Sequence, residues 1–386
     1  MRKWVLLFGI LIIAMLVFLP GLLSRKGGGQ VQSQLVSGAG GAGGVEGFAR
    51  VEAPRPFRFP EDHGPHPEYQ TEWWYYTGNL STADGRHFGY QLTFFRRALL
   101  PVERQPERAS SWAANQVYMA HFALTDVAGQ NFQAFERLAR GAAGLAGAQA
   151  APFQVWLEDW SVEQVEPGVY RLQAVENGMS LDLQLVDEKG PILQGDRGFS
   201  LKGPQPGQAS YYYSLTRLAS AGTVQIGGQA YEVSGASWMD HEFSTSFLSE
   251  DQVGWDWFAL QFDDGSELMV GQLRKEDGSI DPYFSGIWVA QDGSTRHLDP
   301  DEFTIEVQDT WRSPASGITY PSRWTVRAPG IGLSIEVEPY FAGQELDVSY
   351  TYWEGAVRAR GERAGQQVSG DGYVELTGYG EAISIE

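Results

Sequence analysis

The sequence predicts an all-β fold of two antiparallel β-barrels in tandem, and three observations lead to this prediction. First, the sequence contains many residue pairs that supply the positive φ of two-residue hairpin turns. Second, short runs of Val, Ile, Tyr, Phe and Trp with partial alternation lie between these pairs, as expected for strands. Third, long amphipathic helices are almost missing, so the strands must close into a sandwich or barrel. The turn pairs are Asp84-Gly85, Asp264-Gly265, Asp277-Gly278, Asp292-Gly293, Asp371-Gly372, Asn177-Gly178 and Gly227-Gly228.

A weak internal repeat indicates that there are two barrels. Residues 72–96, "EWWYYTGNLSTADGRHFGYQLTFFR", and residues 255–275, "WDWFALQFDDGSELMVGQLRK", share one order of features. Each has Trp residues next to an acid, a strand, an Asp-Gly turn, a second strand and an Arg near its end. Two copies of one β unit predict two similar barrels. Residues 138–151, rich in Ala and Gly, are the least strand-like part and predict a loop or a short helix.

The N-terminus predicts export. Residues 1–26 combine basic residues at both ends with an apolar run, which is typical of a signal peptide or signal anchor. Cleavage and anchoring through residues 4–23 are both open. Residues 27–49 are rich in Gly, Ser and Gln and predict a flexible linker. We therefore expect a periplasmic or extracellular protein.

The rest of the chain is long enough for two domains. About 340 residues follow the linker, more than one core usually organises. We place the domains at residues 50–250 and 251–386, because the boundary falls between the two copies of the repeat.

Composition excludes several classes of function. The chain carries a net charge of −20, and residues 1–26 hold four basic and no acidic residues, which leaves −24 for the rest. An acidic body repels phosphate backbones and anionic lipids, so we expect no nucleic-acid partner and membrane contact only through the N-terminal segment. The chain has no Cys, which excludes disulfides, thiol nucleophiles and Cys-ligated metals. No phosphate loop, Gly-x-Ser-x-Gly elbow or His-Glu-x-x-His helix is present, and no cofactor is expected.

The stretch "SWMDHEFSTSF", residues 237–247, is the first candidate for chemistry because it places two acids and a His among aromatic residues. By alternation along a strand, Trp238 and Asp240 point to one side and His241 to the other unless a bulge at Gly235 intervenes. A carboxyl group among aromatic rings is desolvated and can stay protonated near neutral pH. The catalytic candidates are therefore Asp240, His241 and Glu242. Alternatively, the two acids accept backbone hydrogen bonds where a strand enters a loop.

Two further stretches place an acid beside Trp residues, namely "TEWWYY" at residues 71–76 and "WDWF" at residues 255–258. These aromatic residues either fill cores or line an apolar pocket. A buried carboxylate needs partners, which Arg96, Arg97 or Arg274 could supply. The candidates that we assign to ligand binding are Trp238, Glu72, Trp73, Trp74, Tyr75, His121, Tyr211, Tyr213, Trp255, Asp256 and Trp257.

Histidines elsewhere give weaker signals. His121 lies inside an apolar strand, where a core role is more common than a ligand role. His63 and His66 are spaced like a metal pair, but Pro65 and Pro67 prevent the helix that would bring them together. We therefore predict no metal site.

Seven phrases occur in order along the chain, namely "HPEYQTEWWYYTGNL", "MAHFALTD", "GLAGA", "YYYSLTRL", "SWMDHEFSTS", "GWDWFALQFDDGSELM" and "GYVELTGYG". Together they resemble the AttH/CrtC family. This family comprises exported lipocalin-like proteins, often called predicted secreted hydrolases, and the carotenoid 1,2-hydratases. The resemblance covers roughly residues 50–386 and implies two lipocalin-like β-barrels side by side. In the hydratase branch an Asp protonates a carbon–carbon double bond, and the matching residue here is Asp240.

The leading functional prediction is an exported protein that holds a hydrophobic small molecule, a lipid or isoprenoid, in an aromatic-lined cavity of the size found inside small barrels. One alternative is hydration of a double bond, with Asp240 as the acid and Glu242 or His241 activating water. A second is a secreted hydrolase, for which we find no nucleophile, or a non-catalytic partner of an envelope export transporter. An enzyme requires Asp240 and another polar group to converge on an open pocket, a carrier requires the pocket alone, and a scaffold requires neither.

Overall fold

The structure is a computed structural model that describes residues 45–105, 110, 112–245, 248–249 and 251–380. The predicted signal or anchor segment and residues 27–44 of the predicted linker lie outside these residues. The helices in the described ranges are short 3-10 turns, and none is long and apolar enough to cross a membrane. They are Glu61–His63, Val102–Arg104 and Pro329–Ile331.

The prediction of an all-β fold is confirmed, and the first of two antiparallel sheets contains strands β1 to β13. Its order is β4-β3-β2-β1-β13-β12-β9-β8-β7-β6-β5, and β10 and β11 pair with β12. Strands β5 and β6 at one end contact β3 at the other, so the sheet curls into a near-complete barrel. The strands are β1 Thr71–Ser81, β2 His87–Ala98, β3 Gln116–Asp126, β4 Asn131–Arg140, β5 Ala146–Ala150, β6 Phe153–Leu157, β7 Trp160–Glu166, β8 Val169–Glu176, β9 Met179–Asp187, β10 Ile192–Leu193, β11 Phe199–Leu201, β12 Ala209–Ile226 and β13 Gln229–Ser244.

The second sheet contains strands β14 to β24 and forms the second barrel. Its order is β18-β17-β15-β14-β24-β23-β21-β20-β19, while β16 pairs with β15 and β22 with β23. The strands are β14 Gln252–Phe262, β15 Glu267–Lys275, β16 Ile280–Asp281, β17 Gly286–Val289, β18 Thr295–Leu298, β19 Thr304–Arg312, β20 Thr319–Ala328, β21 Leu333–Pro339, β22 Glu345–Asp347, β23 Thr351–Arg363 and β24 Gln366–Leu376.

The internal repeat corresponds to one hairpin in each barrel. Residues 72–96 form the β1–β2 hairpin and residues 255–275 form the β14–β15 hairpin. One predicted turn is wrong, because Asp371-Gly372 lies inside β24. Glycine is needed there for close approach, since a Cβ on Gly372 would lie 2.3 Å from the carbonyl oxygen of Ala259.

The prediction of a loop or short helix over residues 138–151 is wrong for most of this segment, although residues 141–145 do form a turn. Strand β4 continues to Arg140 and β5 occupies Ala146–Ala150. The small residues make room for a partner, because a Cβ on Gly147 would lie 2.6 Å from the indole ring of Trp156 on the neighbouring strand. Low strand propensity was overridden here by packing between strands.

Three apolar layers hold the fold together. One fills the first barrel and includes Trp74 and Met239, and a second fills the other barrel and includes Phe258. The third lies between the barrels and contains Tyr75 and Trp257, which are the sequence neighbours of Trp74 and Phe258. Alternation therefore sends one face of each central strand into a barrel and the other face against the second barrel.

Glycine permits a close approach of the two barrels at Gly89, and this contact yields a stability prediction. A Cβ on Gly89 in β2 would lie 2.6 Å from the Cβ of Ala356 in β23. We expect Gly89→Val to lower the free energy of unfolding by about 1–3 kcal/mol, because overpacking forces the barrels apart. Urea unfolding followed by Trp fluorescence measures this change. Gly343→Ala is the control, since its Cβ meets nothing closer than 3.5 Å; equal stability of the two variants would contradict the prediction.

Candidate functional site

An aromatic-lined cavity lies between the two barrels and receives side chains from both. About 60 Å³ of space is left in it for water-sized molecules. The expected position inside a barrel is therefore wrong for this cavity, because large side chains fill the barrel interiors. The lining residues are Trp73, Tyr75, Thr93, Phe95, Lys202, Tyr212, Asp240, Glu242, Trp255, Trp257, Leu273, Phe284 and Glu375.

Asp240 forms part of the cavity wall and is held by three side-chain donors. Its Oδ1 accepts hydrogen bonds from Ser214 Oγ at 2.5 Å and Trp238 Nε1 at 2.7 Å. Its Oδ2 accepts one from the Tyr212 hydroxyl at 2.6 Å. Burial raises the pKa of Asp240 to about 7, although these three donors favour the charged form. Asp240 can therefore release or take up a proton near neutral pH.

Glu242 lies two residues further along β13 and is paired with a buried cation. Lys202 Nζ lies 3.1 Å from Glu242 Oε1, which also accepts a hydrogen bond from Ser210 Oγ. The ammonium group lies 4.3 Å from the ring centroid of Phe284. Burial lowers the pKa of Lys202, while the neighbouring carboxylate of Glu242 opposes this shift. Glu242 and Lys202 therefore form a charged part of a cavity wall that is otherwise mainly aromatic.

The second barrel contributes another carboxyl group on the opposite wall. Glu375 on β24 lines the cavity and is hydrogen-bonded by the side chain of Trp255. Burial raises the pKa of Glu375 to about 7, against the effect of that hydrogen bond. Two carboxyl groups that titrate near neutrality thus face one aromatic space, one from each barrel.

A different charged network lies inside the first barrel, on the other face of the same strands. Glu72 is fully buried and accepts hydrogen bonds from Arg96 Nε at 2.7 Å, His66 Nδ1 at 2.8 Å and His241 Nε2 at 2.9 Å. Burial opposes ionisation of Glu72, but Arg96, His241 and His66 hold its pKa well below the usual value. His66 also meets Asp62 through Nε2 at 3.0 Å.

Hydrogen bonds already occupy the groups of this network that resemble a metal site. Ligand atoms of His66, Glu72 and His241 lie within 4.8 Å of one another, which resembles a metal-binding group. However, both oxygens of Glu72 already accept N–H donors, and the guanidinium of Arg96 would repel a cation. Both ring nitrogens of His66 face carboxylates, and these hold its pKa above the usual value although burial opposes the charge. The arrangement is that of a buried ion network.

The structure brings together about half of the predicted site residues. The members that line the cavity are Asp240, Glu242, Trp73, Tyr75, Trp255 and Trp257, and Trp238 supports Asp240 from behind.

The other predicted residues lie elsewhere, which corrects their assignment to the same site. His241, Glu72, Trp74 and Tyr213 point into the first barrel, where Trp74 stacks on His241 and Tyr213 contacts its Nδ1. Tyr211 packs near the end of that barrel, and its hydroxyl donates to the carbonyl of Ala53. Asp256 binds Arg274 at 3.0 Å inside the second barrel. His121 lies between the barrels and bonds Tyr352 at 2.9 Å, outside the cavity lining.

Sequence reasoning missed several cavity residues, namely Lys202, Tyr212, Phe95, Phe284 and Glu375. It also missed Ser214, which bonds Asp240. Tyr212 was passed over in favour of its neighbours Tyr211 and Tyr213. The register would have identified it, because Tyr212 pairs with Glu242 and Ser214 with Asp240 across β12 and β13. Glu375 and Lys202 had no local signal, since neither lies in a cluster of acidic, basic and aromatic residues like the one around Asp240.

Comparisons with known proteins agree with this architecture. A family model described as AttH-like matches residues 50–379. A solved structure from Nitrosomonas europaea assigned to AttH is 36% identical with a TM-score of 0.76, and the match covers 86% of this chain and 100% of that chain.

Two more distant solved structures share the fold. Kievitone hydratase from Nectria haematococca is 15% identical with a TM-score of 0.64, covering 87% of this chain and 97% of that one. CghA with Sch210972 is 13% identical with a TM-score of 0.53, covering 88% and 98%. At these identities the likeness concerns the fold alone. Among the curated proteins the sequence finds no match.

Proposed function

Since this chain belongs to the AttH-like family, we propose that it is an enzyme that adds water to a carbon–carbon double bond of a hydrophobic small molecule. The observation that carries the proposal is Asp240, an acid with a pKa near 7 in the wall of an aromatic cavity. A general acid is most effective when its pKa lies near the working pH. Few other roles require a desolvated carboxyl group beside so many ring faces.

The chemistry follows from the cavity wall. Asp240 gives its proton to one carbon of the double bond and leaves a carbocation on the other. The ring faces of Tyr75, Trp73 and Trp257 stabilise this cation, as aromatic faces stabilise other cations. A water molecule then bonds to the cation and loses one proton, which gives the alcohol. Atoms and charge balance, because the proton given by Asp240 equals the proton that water releases.

The size of the cavity limits which part of a substrate can enter it. Its space of about 60 Å³ admits a few water molecules, whereas pockets that enclose a whole drug-sized ligand measure roughly 300–1,000 Å³. Trp73, Phe95 and Trp255 are only partly buried and form the rim. We therefore propose that the end of an unsaturated chain, such as a terminal prenyl unit, enters and the remainder stays at the rim.

The carrier and hydrolase alternatives receive less support. A carrier needs the aromatic cavity alone, yet Asp240, Glu242, Lys202 and Glu375 converge on it. A hydrolase of the triad type needs a His beside its nucleophile, and no His is among the described residues that line the cavity. The related kievitone hydratase fold is compatible with hydration chemistry but supports it only by analogy. Export, with or without anchoring and an envelope transporter as partner, stays part of the proposal.

Native mass spectrometry of the full chain with farnesol, which carries a terminal prenyl double bond, tests the proposed function. We expect a complex with the wild-type protein and, after incubation, released product heavier by one water. The fully saturated analogue of farnesol is the control and should bind without any gain in mass. Binding of both compounds with no added water would support a carrier instead, and failure of both to bind would overturn the proposed site.

A further inference from the structure

The second barrel places a pair of carboxyl groups at the wall opposite Asp240. Glu354 on β23 and Glu375 on β24 are direct partners in the strand register, so their side chains lie side by side. Glu354 is buried, and its Oε1 accepts a hydrogen bond of 2.5 Å from the hydroxyl of Tyr75, a cavity residue. Its Oε2 has no hydrogen-bond partner among the described residues. An unpaired carboxyl oxygen at such depth needs an explanation.

The charges around the cavity indicate that this pair holds a proton. Three carboxyl groups line the cavity, and Lys202 is the one cation among the described residues that line it. The groups that face Glu354 are Glu375 and four tyrosine hydroxyls, none of them a cation; the tyrosines are Tyr75, Tyr350, Tyr352 and Tyr373. Several ionised carboxyl groups in one desolvated space are unfavourable, so protons are retained. Burial and the neighbouring Glu375 accordingly raise the pKa of Glu354 well above its usual value.

A line of hydrogen-bonding groups leads from this pair towards the surface. The hydroxyl of Tyr352 adjoins Glu354 and bonds His121 Nδ1 at 2.9 Å. His121 Nε2 lies 3.1 Å from Oε2 of Glu136, whose side chain is 13% exposed. Since the carboxylate of Glu136 can only accept, Nε2 carries a hydrogen, and in the neutral ring of His121 Nδ1 then accepts the hydroxyl hydrogen of Tyr352. The contacts of His121 with Tyr352 and Glu136 are then oriented to pass a proton outward.

We propose that Glu375 accepts the proton that the attacking water loses, shares it with Glu354, and exchanges it with solvent through Tyr352, His121 and Glu136. This inference rests on the proposed function and adds the proton acceptor that hydration requires. In each turnover Asp240 loses one proton to the substrate and Glu375 gains one from water. One proton then leaves along the relay, and Asp240 takes one up through the cavity rim after the product departs.

Infrared spectroscopy tests the proton-holding pair without any substrate. The full chain carrying Asp240→Asn is used, so that Asp240 itself does not contribute. Between pH 6 and pH 8 we expect the loss of a protonated-carboxyl C=O band, and Glu354→Gln and Glu375→Gln should each remove or shift it. Glu338→Gln, which alters an exposed carboxyl group paired with Arg358, is the control and should leave the band unchanged. If the spectrum lacks this band, or if neither variant changes it, the proposal that Glu354 and Glu375 hold a proton is wrong.

The relay is tested by the rate at which the same band responds to a sudden release of protons from a photolabile cage. Tyr352→Phe keeps the ring but removes the hydroxyl link, so the response should become at least tenfold slower with the same final amplitude. Tyr340→Phe is the matched control, because its hydroxyl bonds Asp371 away from the relay. Equal rates in both variants would refute the relay. Both measurements use the protein without ligand, so their failure is distinguishable from failure of the hydration assay.

Discussion

Replacing Asp240 by Asn is expected to slow hydration of the double bond by about 10²–10⁴-fold, the usual contribution of a general acid. Asn has nearly the same shape but cannot donate the proton, so binding of the chain in the cavity should change little. The loss should therefore appear in kcat, with KM nearly unchanged. Asp182→Asn, which removes an exposed carboxylate bonded to Arg171 on the outside of the same barrel, should keep the wild-type rate.

The pH dependence of the wild-type rate follows from the same residue. Asp240 acts in its protonated form, and burial raises its pKa to about 7. The rate should therefore fall roughly tenfold for each pH unit well above 7. Because Glu375 must be ionised to accept the proton from water, the rate should also fall well below its pKa of about 7, so that the profile peaks near pH 7. A rate that rises through pH 7 would exclude Asp240 as the acid, since a carboxylate can then act only as a base.

The same shift predicts how stability depends on pH, which can be measured without substrate. The folded protein binds a proton at Asp240 at pH values where the unfolded chain, with an ordinary Asp pKa near 3.9, has lost it. This group therefore favours the folded state increasingly as pH falls from about 7 towards 4. Glu375, with its pKa of about 7, adds in the same direction. Urea unfolding at pH 5 and pH 8 should show a smaller difference for Asp240→Asn than for the wild type.

The sequence indicated Arg96, Arg97 or Arg274 as possible partners of the buried acids, and hairpin geometry makes the observed contacts local. Glu72 stands opposite Arg96 across β1 and β2, and Asp256 lies beside Arg274 across β14 and β15. Alternation also placed Asp240 and His241 on opposite faces of one strand. These inferences needed only a strand period of two and a short turn.

The direction of each face could not be predicted, and this is why half of the predicted site residues do not line the cavity. Strand β13 is buried on both faces from Trp238 to Ser244, so apolar residues do not distinguish the barrel interior from the interface between barrels. A strand with two buried faces carries no polar face to orient it. Glu375 and Lys202 reach the cavity only through the docking of distant strands. Contacts between strands that are far apart in the sequence leave no pattern in either strand alone.

Glu72→Gln is expected to lower the free energy of unfolding by about 3–5 kcal/mol, because removing one partner of a buried ion pair leaves the other charge uncompensated. Arg96 has no exposed surface, and its Nε bonds Glu72 directly. His66 and His241 also lose their charged acceptor, so the damage extends beyond one pair. Glu306→Gln is the control, since its pair with Arg327 is roughly half exposed on both sides and should change stability by less than about 1 kcal/mol.

The acid limb of the stability profile gives an independent measurement of the same network. The folded-state pKa of Glu72 is held well below its usual value, so its stabilisation is present above the unfolded pKa, near 4.3, and is lost as pH falls further. Wild-type protein should therefore lose stability steeply below about pH 4, and Glu72→Gln should lose less over the same interval. If urea unfolding shows Glu72→Gln to be as stable as Glu306→Gln, or if the acid limbs of Glu72→Gln and the wild type coincide, the network does not stabilise the first barrel.

Loss of the Glu72 network should affect the cavity as well, because Trp73, Tyr75 and Asp240 lie on the strands that Glu72 and His241 join. A loosened network should therefore also reduce retention of farnesol, although none of its members lines the cavity.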